Sequence, residues 1–239
     1  MIIREEQIGD ARLIFGDTLT VLPALHQSDM ILTDPPYKLE TGGNSTGQMG
    51  GVFHPDHYDN GGNIVQCDID WPDFMPLLFN NLKKGCHSYV MANNRHVQNM
   101  LNAAENAGFS FHNLLAWDKM SCTPNGYYMK NMEFIGFFYK ESSKYLNNCS
   151  SQQLIACPQE DYGKHPTTKP TALMEFYIRN SSNEGDTVLD PFMGVGSTAI
   201  GALRANRKFI GIEIDEKWFD LACKRVNDFY NGQRQLRML

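Results

Sequence analysis

Thr187-Val188-Leu189-Asp190-Pro191-Phe192-Met193-Gly194-Val195-Gly196-Ser197-Thr198 opens as a short apolar run. It stops at an acid and a proline, bends through two glycines and continues into a helical pattern over 197–204. Strand, glycine turn and helix in that order form a setting where backbone without a Cβ lets a cofactor approach closely. The spacing is not G-x-G-x-x-G, because position 199 is Ala and the next glycine is Gly201, so a dinucleotide is disfavoured. The next apolar run, 209–214, reads as the neighbouring strand and carries Glu213, 17 residues after Gly196. An acid at that place can hold both ribose hydroxyls of an adenosine-containing cofactor. The alternative is a plain tight turn beside a solvated strand-end acid. The ordered succession of strand, turn, helix, strand and acid weighs against it.

Outward from this unit, 12–15, 30–33 and 88–92 read as further buried strands, each a short apolar run bounded by charges or turn residues. Helical patterns cover 94–107 (ended by Gly108), 171–180 and 216–230. In the last, Trp218, Leu221, Ala222, Val226 and Phe229 make an apolar face. Alternating strands and helices predict an α/β fold with an open, mostly parallel sheet. Two aromatic-rich runs, 111–117 and 133–139, flank a Pro-Asn-Gly turn and are candidates for an antiparallel pair. Segment 39–63 is rich in Gly, Asn, Ser and His without periodicity, a composition expected of a mobile loop beside a site.

The 239 residues, 42% of them hydrophobic, suit a single domain. Within it, 1–140 reads as a catalytic half, 141–164 as a short irregular insertion and 165–239 as a cofactor half. No apolar run is long enough to span a bilayer and the N-terminus has no signal-peptide core, so a soluble cytoplasmic protein is expected. The six cysteines show neither C-x-x-C nor zinc spacing, and no metal is expected. Net charge is −6, but residues 1–75 carry 3 Lys/Arg against 12 Asp/Glu, and the remainder is net +3. A nucleic-acid enzyme needs a basic face rather than a basic total, so charge excludes little.

Asp34-Pro35-Pro36-Tyr37 follows the apolar run 30–33, at a strand's carboxyl end, where ligands bind in open α/β sheets. Two prolines stiffen the turn and fix an acid, a bare carbonyl and an aromatic ring relative to one another. That set suits methylation of an aromatic amine, whose lone pair is delocalised into its ring. The Asp34 carboxylate and the Pro35 carbonyl would accept the two N–H bonds, localise the lone pair and stabilise the charge that develops on nitrogen. Tyr37 would stack on the base once it has left the duplex. The bland alternative is a strand-ending turn with an ordinary Asp. A third run, His165-Pro166-Thr167-Thr168-Lys169-Pro170, frames polar groups between prolines. Its hydroxyls and Lys169 could bind a carboxylate, such as a cofactor's amino-acid end, or the run could simply start a helix.

Together these motifs resemble the β-class amino-methyltransferases of DNA, circularly permuted enzymes in which D-P-P-Y precedes the cofactor half. Gly16-Asp17 resembles the family's G-D. Trp117-Asp118-Lys119 and Asn131-Met132-Glu133-Phe134 resemble its W-x-K and N-x-E segments. His165–Pro170 is close to H-P-T-Q-K-P, with Thr168 for Gln. Asp190–Thr198 resembles D-P-F-x-G-S-G-T-T, with Val195 in place of a small polar residue, and Glu213 matches the ribose-binding acid. The resemblance runs from about 16 to 227. It implies a Rossmann-like S-adenosylmethionine-dependent methyltransferase fold, with a seven-stranded, mostly parallel sheet and a reversed edge strand. It implies S-adenosylmethionine as donor, bound by Asp17, His165, Thr167, Lys169, Asp190, Phe192, Gly194, Gly196, Ser197, Thr198 and Glu213. It also implies double-stranded DNA as substrate, with Asp34, Pro35, Pro36 and Tyr37 catalytic.

Aspartate in the catalytic motif leans towards adenine N6, with cytosine N4 as the near alternative and protein or RNA N-methylation further off. The short stretch between 139 and 165 leaves no room for a separate recognition domain. A homodimer is therefore left open as a way to grip duplex. Lys119, Lys130, Lys140, Lys144 and Lys164 are candidate phosphate contacts, with solvated surface lysines as the alternative.

Overall fold

The computed structural model of the chain describes residues 1–36, 69–123, 128–162 and 168–237. Tyr37, His165, Thr167, Lys164 and the expected mobile loop 39–63 lie outside the described residues. In chain order the elements are β1 (Ile2–Ile8), β2 (Ala11–Gly16), α1 (Thr18–Val21), β3 (Ser28–Thr33), α2 (Trp71–Asn81), β4 (Leu82–Ala92), α3 (Val97–Ala107) and β5 (Ser110–Thr123). Then follow β6 (Lys130–Tyr139), β7 (Leu154–Ala156), α4 (Thr171–Ser181), β8 (Thr187–Asp190), α5 (Ser197–Arg204), β9 (Lys208–Glu213) and α6 (Glu216–Arg237).

Among the described residues the strands form one sheet in the order β1-β2-β9-β8-β3-β4-β6-β5-β7. Nine strands replace the seven expected. The reversed edge strand exists as β1, antiparallel to β2, and a second reversed strand, β6, lies inside the sheet between β4 and β5. All other pairings are parallel. The expected antiparallel partnership of the two aromatic-rich runs is present as β5 and β6.

Helices cover both faces of this sheet. On one, Leu13, Met30, Leu32, Val188 and Phe209 pack against Leu173, Tyr177 and Ile178 of α4, Ala199 and Leu203 of α5, and Phe219 and Val226 of α6. On the other, Ile14, Ile31, Val90, Leu189 and Ile212 meet Phe74, Met75 and Leu78 of α2 and Met100 and Ala104 of α3. Each Leu, Ile, Val, Phe or Met among them, fully buried, contributes about 1.5–3 kcal/mol. Alternate residues of one strand serve opposite cores, which is why these strands are apolar throughout rather than alternating. α4 and α5 approach closely at Gly201, where an added Cβ would stand 2.9 Å from the Glu175 backbone nitrogen. No helix among the described residues is long and apolar enough to cross a membrane.

The connectivity creates the site. From β3 the chain passes through α2 to β4 on one side. From β8 it passes through α5 to β9 on the other. β3 and β8 are neighbours, and the chains leaving their carboxyl ends turn to helices on opposite faces, which opens a crevice at the point where the winding reverses.

Candidate active site

Asp190 ends β8 at this crevice. Its Oδ1 accepts hydrogen bonds from the Thr33 hydroxyl at 2.7 Å and the Phe192 backbone N–H at 3.1 Å, and its Oδ2 from the Thr198 hydroxyl at 2.6 Å. Thr33 ends β3, so one buried carboxylate joins the ends of both strands to the start of α5. Burial pushes the Asp190 carboxyl up to about 6, against the pull of those three donors and with help from nearby Asp34.

The glycine turn follows. Gly194 and Gly196 have φ of +51° and +79°, the left-handed region that L side chains resist, and Gly196 precedes the first turn of α5. Glu213, at the end of β9, fixes the turn from below. Its Oε2 accepts the Gly194 N–H at 2.9 Å, and its Oε1 accepts those of Ile214 and Asp215 at 3.0 and 2.8 Å. Burial raises this carboxyl, and the three backbone donors oppose the rise. Glu213 nevertheless stays partly accessible. Each carboxylate oxygen has two acceptor positions, so Oε2 retains capacity for a hydroxyl donor. An acid with spare acceptor capacity beside a Cβ-free turn fits the two hydroxyl donors of a ribose diol.

On the β3 side of the crevice, charges alternate in a chain. The Lys169 ammonium binds Asp34 Oδ2 and lies 3.4 Å from Glu133 Oε2, and Lys119 lies 3.2 Å from Glu133 Oε1. No member is more than a quarter exposed. Burial raises the Asp34 carboxyl above the ordinary carboxylate range. Lys169 opposes that rise and the Glu133 charge reinforces it. Three separate sequence motifs thus meet at the acid that begins Asp34-Pro35-Pro36.

The chain matches the DNA methylase family, of the N6/N4 methyltransferase type, over residues 28–224. It is 31% identical over 238 aligned positions to the type II methyltransferase M2.DpnII of Streptococcus pneumoniae, covering 90% of this chain and 88% of that one. The chain belongs to the DNA methylase family. Two solved structures share the fold of this methylase. M1.HpyAVI, determined as a complex with SAM, superposes with a TM-score of 0.70 at 23% identity, covering 90% of this chain and 99% of that one. The PvuII DNA methyltransferase, cytosine-N4-specific, also gives 0.70, at 16% identity and covering 97% and 95%.

The remaining expected residues of the methylase fall into two groups. Asp17 caps α1, accepting the Leu19 N–H at 3.1 Å. It lies just past β2, whose Phe15 pairs with Glu213, so it sits at the same sheet edge as Glu213. Phe192 is partly exposed and packs edge-on against Phe74 at 5.2 Å. Pro35 is buried and Pro36 exposed. Ser197 and Thr198, read as cofactor contacts, are buried and bonded within the fold, Ser197 to Arg225 and Thr198 to Asp190. Asp190 is likewise buried, so these three shape the turn from behind. Lys169, read as a ligand for a cofactor carboxylate, is instead paired with Asp34 and Glu133.

Sequence reasoning missed the roles of Glu133, Lys119 and Arg225. Arg225 of α6 donates to the Ser197 hydroxyl at 3.1 Å, the Thr171 hydroxyl at 2.9 Å and Glu160 Oε1 at 2.5 Å, with the Tyr162 ring 4.3 Å from its guanidinium carbon. Glu160 Oε2 in turn accepts the Thr171 N–H at 2.7 Å. One arginine therefore fastens α6, the glycine turn and the start of α4 together. Two expected phosphate contacts are corrected. Lys119 is engaged by Glu133, and Lys140 is buried, donating to the Phe79 and Leu82 carbonyls at 2.7 and 3.0 Å.

Proposed function

We propose that this methylase transfers a methyl group from S-adenosylmethionine to N6 of an adenine turned out of double-stranded DNA. The observation that carries this is the pairing of Asp34 and the Glu213-braced glycine turn on the carboxyl edge of adjoining parallel strands. Glu213 would bind the ribose hydroxyls, with Asp17 directed to the adenine of the donor. When bound, S-adenosylmethionine supplies an electrophilic methyl carbon on a sulfonium.

The protein's own work is to make a poor nucleophile attack. Asp34 accepts one N–H of the exocyclic amine and the Pro35 carbonyl accepts the other, so the nitrogen becomes tetrahedral and its lone pair points at the methyl group. Held on the Glu213 side of the crevice, the donor would supply its methyl carbon to that nitrogen and its sulfur would keep the C–S electron pair. Positive charge grows on nitrogen beside the Asp34 carboxylate, which then takes the departing proton. Expelling water from the crevice strengthens each of these contacts. Tyr37 would stack on the extrahelical base.

The test is incubation with donor labelled in its methyl group and unmethylated duplex, followed by identification of the modified nucleoside. N6-methyladenine is expected. Label on cytosine N4 would move the assignment to the other amine of the family, and label confined to protein or RNA would overturn it.

A further inference from the structure

We infer that Glu133 is a positioning residue that tunes Asp34 by sharing Lys169 with it. This rests on the methyl-transfer function proposed above. Lys169 Nζ contacts carboxylates on two elements: Asp34 after β3, and Glu133 on β6 at 3.4 Å. Glu133 is itself divided, since Lys119 on β5 holds its other oxygen at 3.2 Å. Two cations and two anions thus form a neutral row with Asp34 at its open end. Among the described residues, the titratable groups facing Asp34 are Lys169, Glu133 on β6 and, across the crevice, Asp190 at the end of β8.

The chemistry needs such a division. A carboxylate held by a lysine of its own is a weak base and a weak acceptor, because the ammonium already takes its charge. An unpartnered buried carboxylate would be protonated, and although its carbonyl oxygen could still accept an N–H, the group could not take up the proton. Sharing gives the intermediate case. Lys169 occupies Oδ2 and keeps the group ionised, and Oδ1 is assigned to the substrate amine. Because Glu133 draws part of the ammonium's field, Oδ1 stays basic enough to take the proton that the methylated nitrogen must lose. That proton then passes from Asp34 to solvent, the row returns to neutrality, and no other acid or base is required.

The opposite charges of Lys169 and Glu133 give the test its sign. Single-turnover methyl transfer is measured against pH with saturating donor and duplex. Glu133→Gln removes a negative charge, so the acid limb moves to lower pH while the plateau rate falls roughly tenfold, as expected when a proton acceptor loses basicity. Glu133→Asp keeps the charge and returns the limb towards that of the unmodified protein. Lys169→Met moves it to higher pH. Lys119→Met, which leaves the crevice groups in place and lets Glu133 lean wholly on Lys169, moves it the same way by less. A purely structural role for Glu133 would lower the folded fraction and the rate at every pH without displacing the limb.

A limb that stays fixed in Glu133→Gln, or one that moves upward, overturns the assignment. If that variant does not fold, Lys119→Met decides: an unmoved limb there overturns it as well. Absence of methyl transfer by the unmodified protein would instead overturn the function itself, so the two failures are distinguishable.

Discussion

Replacing Asp190 with Asn isolates the cost of the buried acid that ties β3, β8 and α5 together. The carboxyl is held at about 6 in the folded protein and titrates at its ordinary 3.8 when the chain unfolds. The folded state therefore binds the proton more tightly. Its contribution to stability is complete below 3.8 and is lost as pH rises to about 6. One pH unit is worth 1.36 kcal/mol, so the loss is about 3 kcal/mol, an order-of-magnitude figure for so enclosed a group. Asn has the same shape and does not titrate. Urea unfolding of both proteins from pH 4.5 to 7.5 at constant ionic strength reads the difference directly. Groups remote from Asp190 cancel, including Glu5 and Asp29, whose partners Arg12 and Lys83 help hold their carboxyls low and give the opposite slope. The stability of the unmodified protein relative to Asp190→Asn should fall by most of those 3 kcal/mol across the range. A difference that is flat with pH, or that grows in favour of the unmodified protein as pH rises, refutes the account of Asp190 as a desolvated acid.

Further outcomes are expected elsewhere. Asp34→Ala should retain donor binding by calorimetry yet lose methyl transfer by about 100-fold or more, since an acceptor aimed at developing charge is worth roughly 3 kcal/mol. Glu213→Gln should weaken donor binding about tenfold, measured by isothermal titration, through loss of a charge-assisted hydrogen bond of about 1.5 kcal/mol. Gly196→Ala places a Cβ at a φ of +79° and should cost about 1–2 kcal/mol in thermal unfolding. Gly201→Ala should cost about 1–3 kcal/mol by forcing α5 away from the α4 backbone.

The parts of the fold legible beforehand were those with a local cause. Strands β2, β3, β8 and β9 are apolar because both their faces are covered, and Gly108 ends α3 in the left-handed conformation. β1 escaped notice because Ile2–Ile8 is largely exposed and charged. It pairs at the edge, where Glu5 and Arg12 form a diagonal ion pair at 2.9 Å across the strands. α2 escaped because Pro72 and Pro76 interrupt its pattern. Its signal lay in the cap: Asp73 accepts the Asp70 N–H at 2.8 Å, and Pro72 occupies a first-turn position that tolerates proline. β7 is three residues long, within a polar stretch.

The site was legible to the same depth. Asp34, the glycine turn and Glu213 announce themselves by their position after strands. The row through Lys119 and Glu133 does not, because it depends on the register of β5 against β6. That register sets Trp117 opposite Glu133 and brings Lys119, two residues on, within diagonal reach. Arg225 carried no local mark, and its partners Glu160, Thr171 and Ser197 are 28 to 65 positions away in the chain.

That last arginine sets a schedule for the protein's birth. Ribosomes deliver Asp34, Lys169 and both glycines before position 225 emerges, so the bend cannot be latched to the start of α4 while the nascent chain is still short of it. The enzyme should therefore gain its grip on the methyl donor late and all at once. Stalled chains halted ahead of Arg225 should capture labelled donor far more weakly than those halted well beyond it.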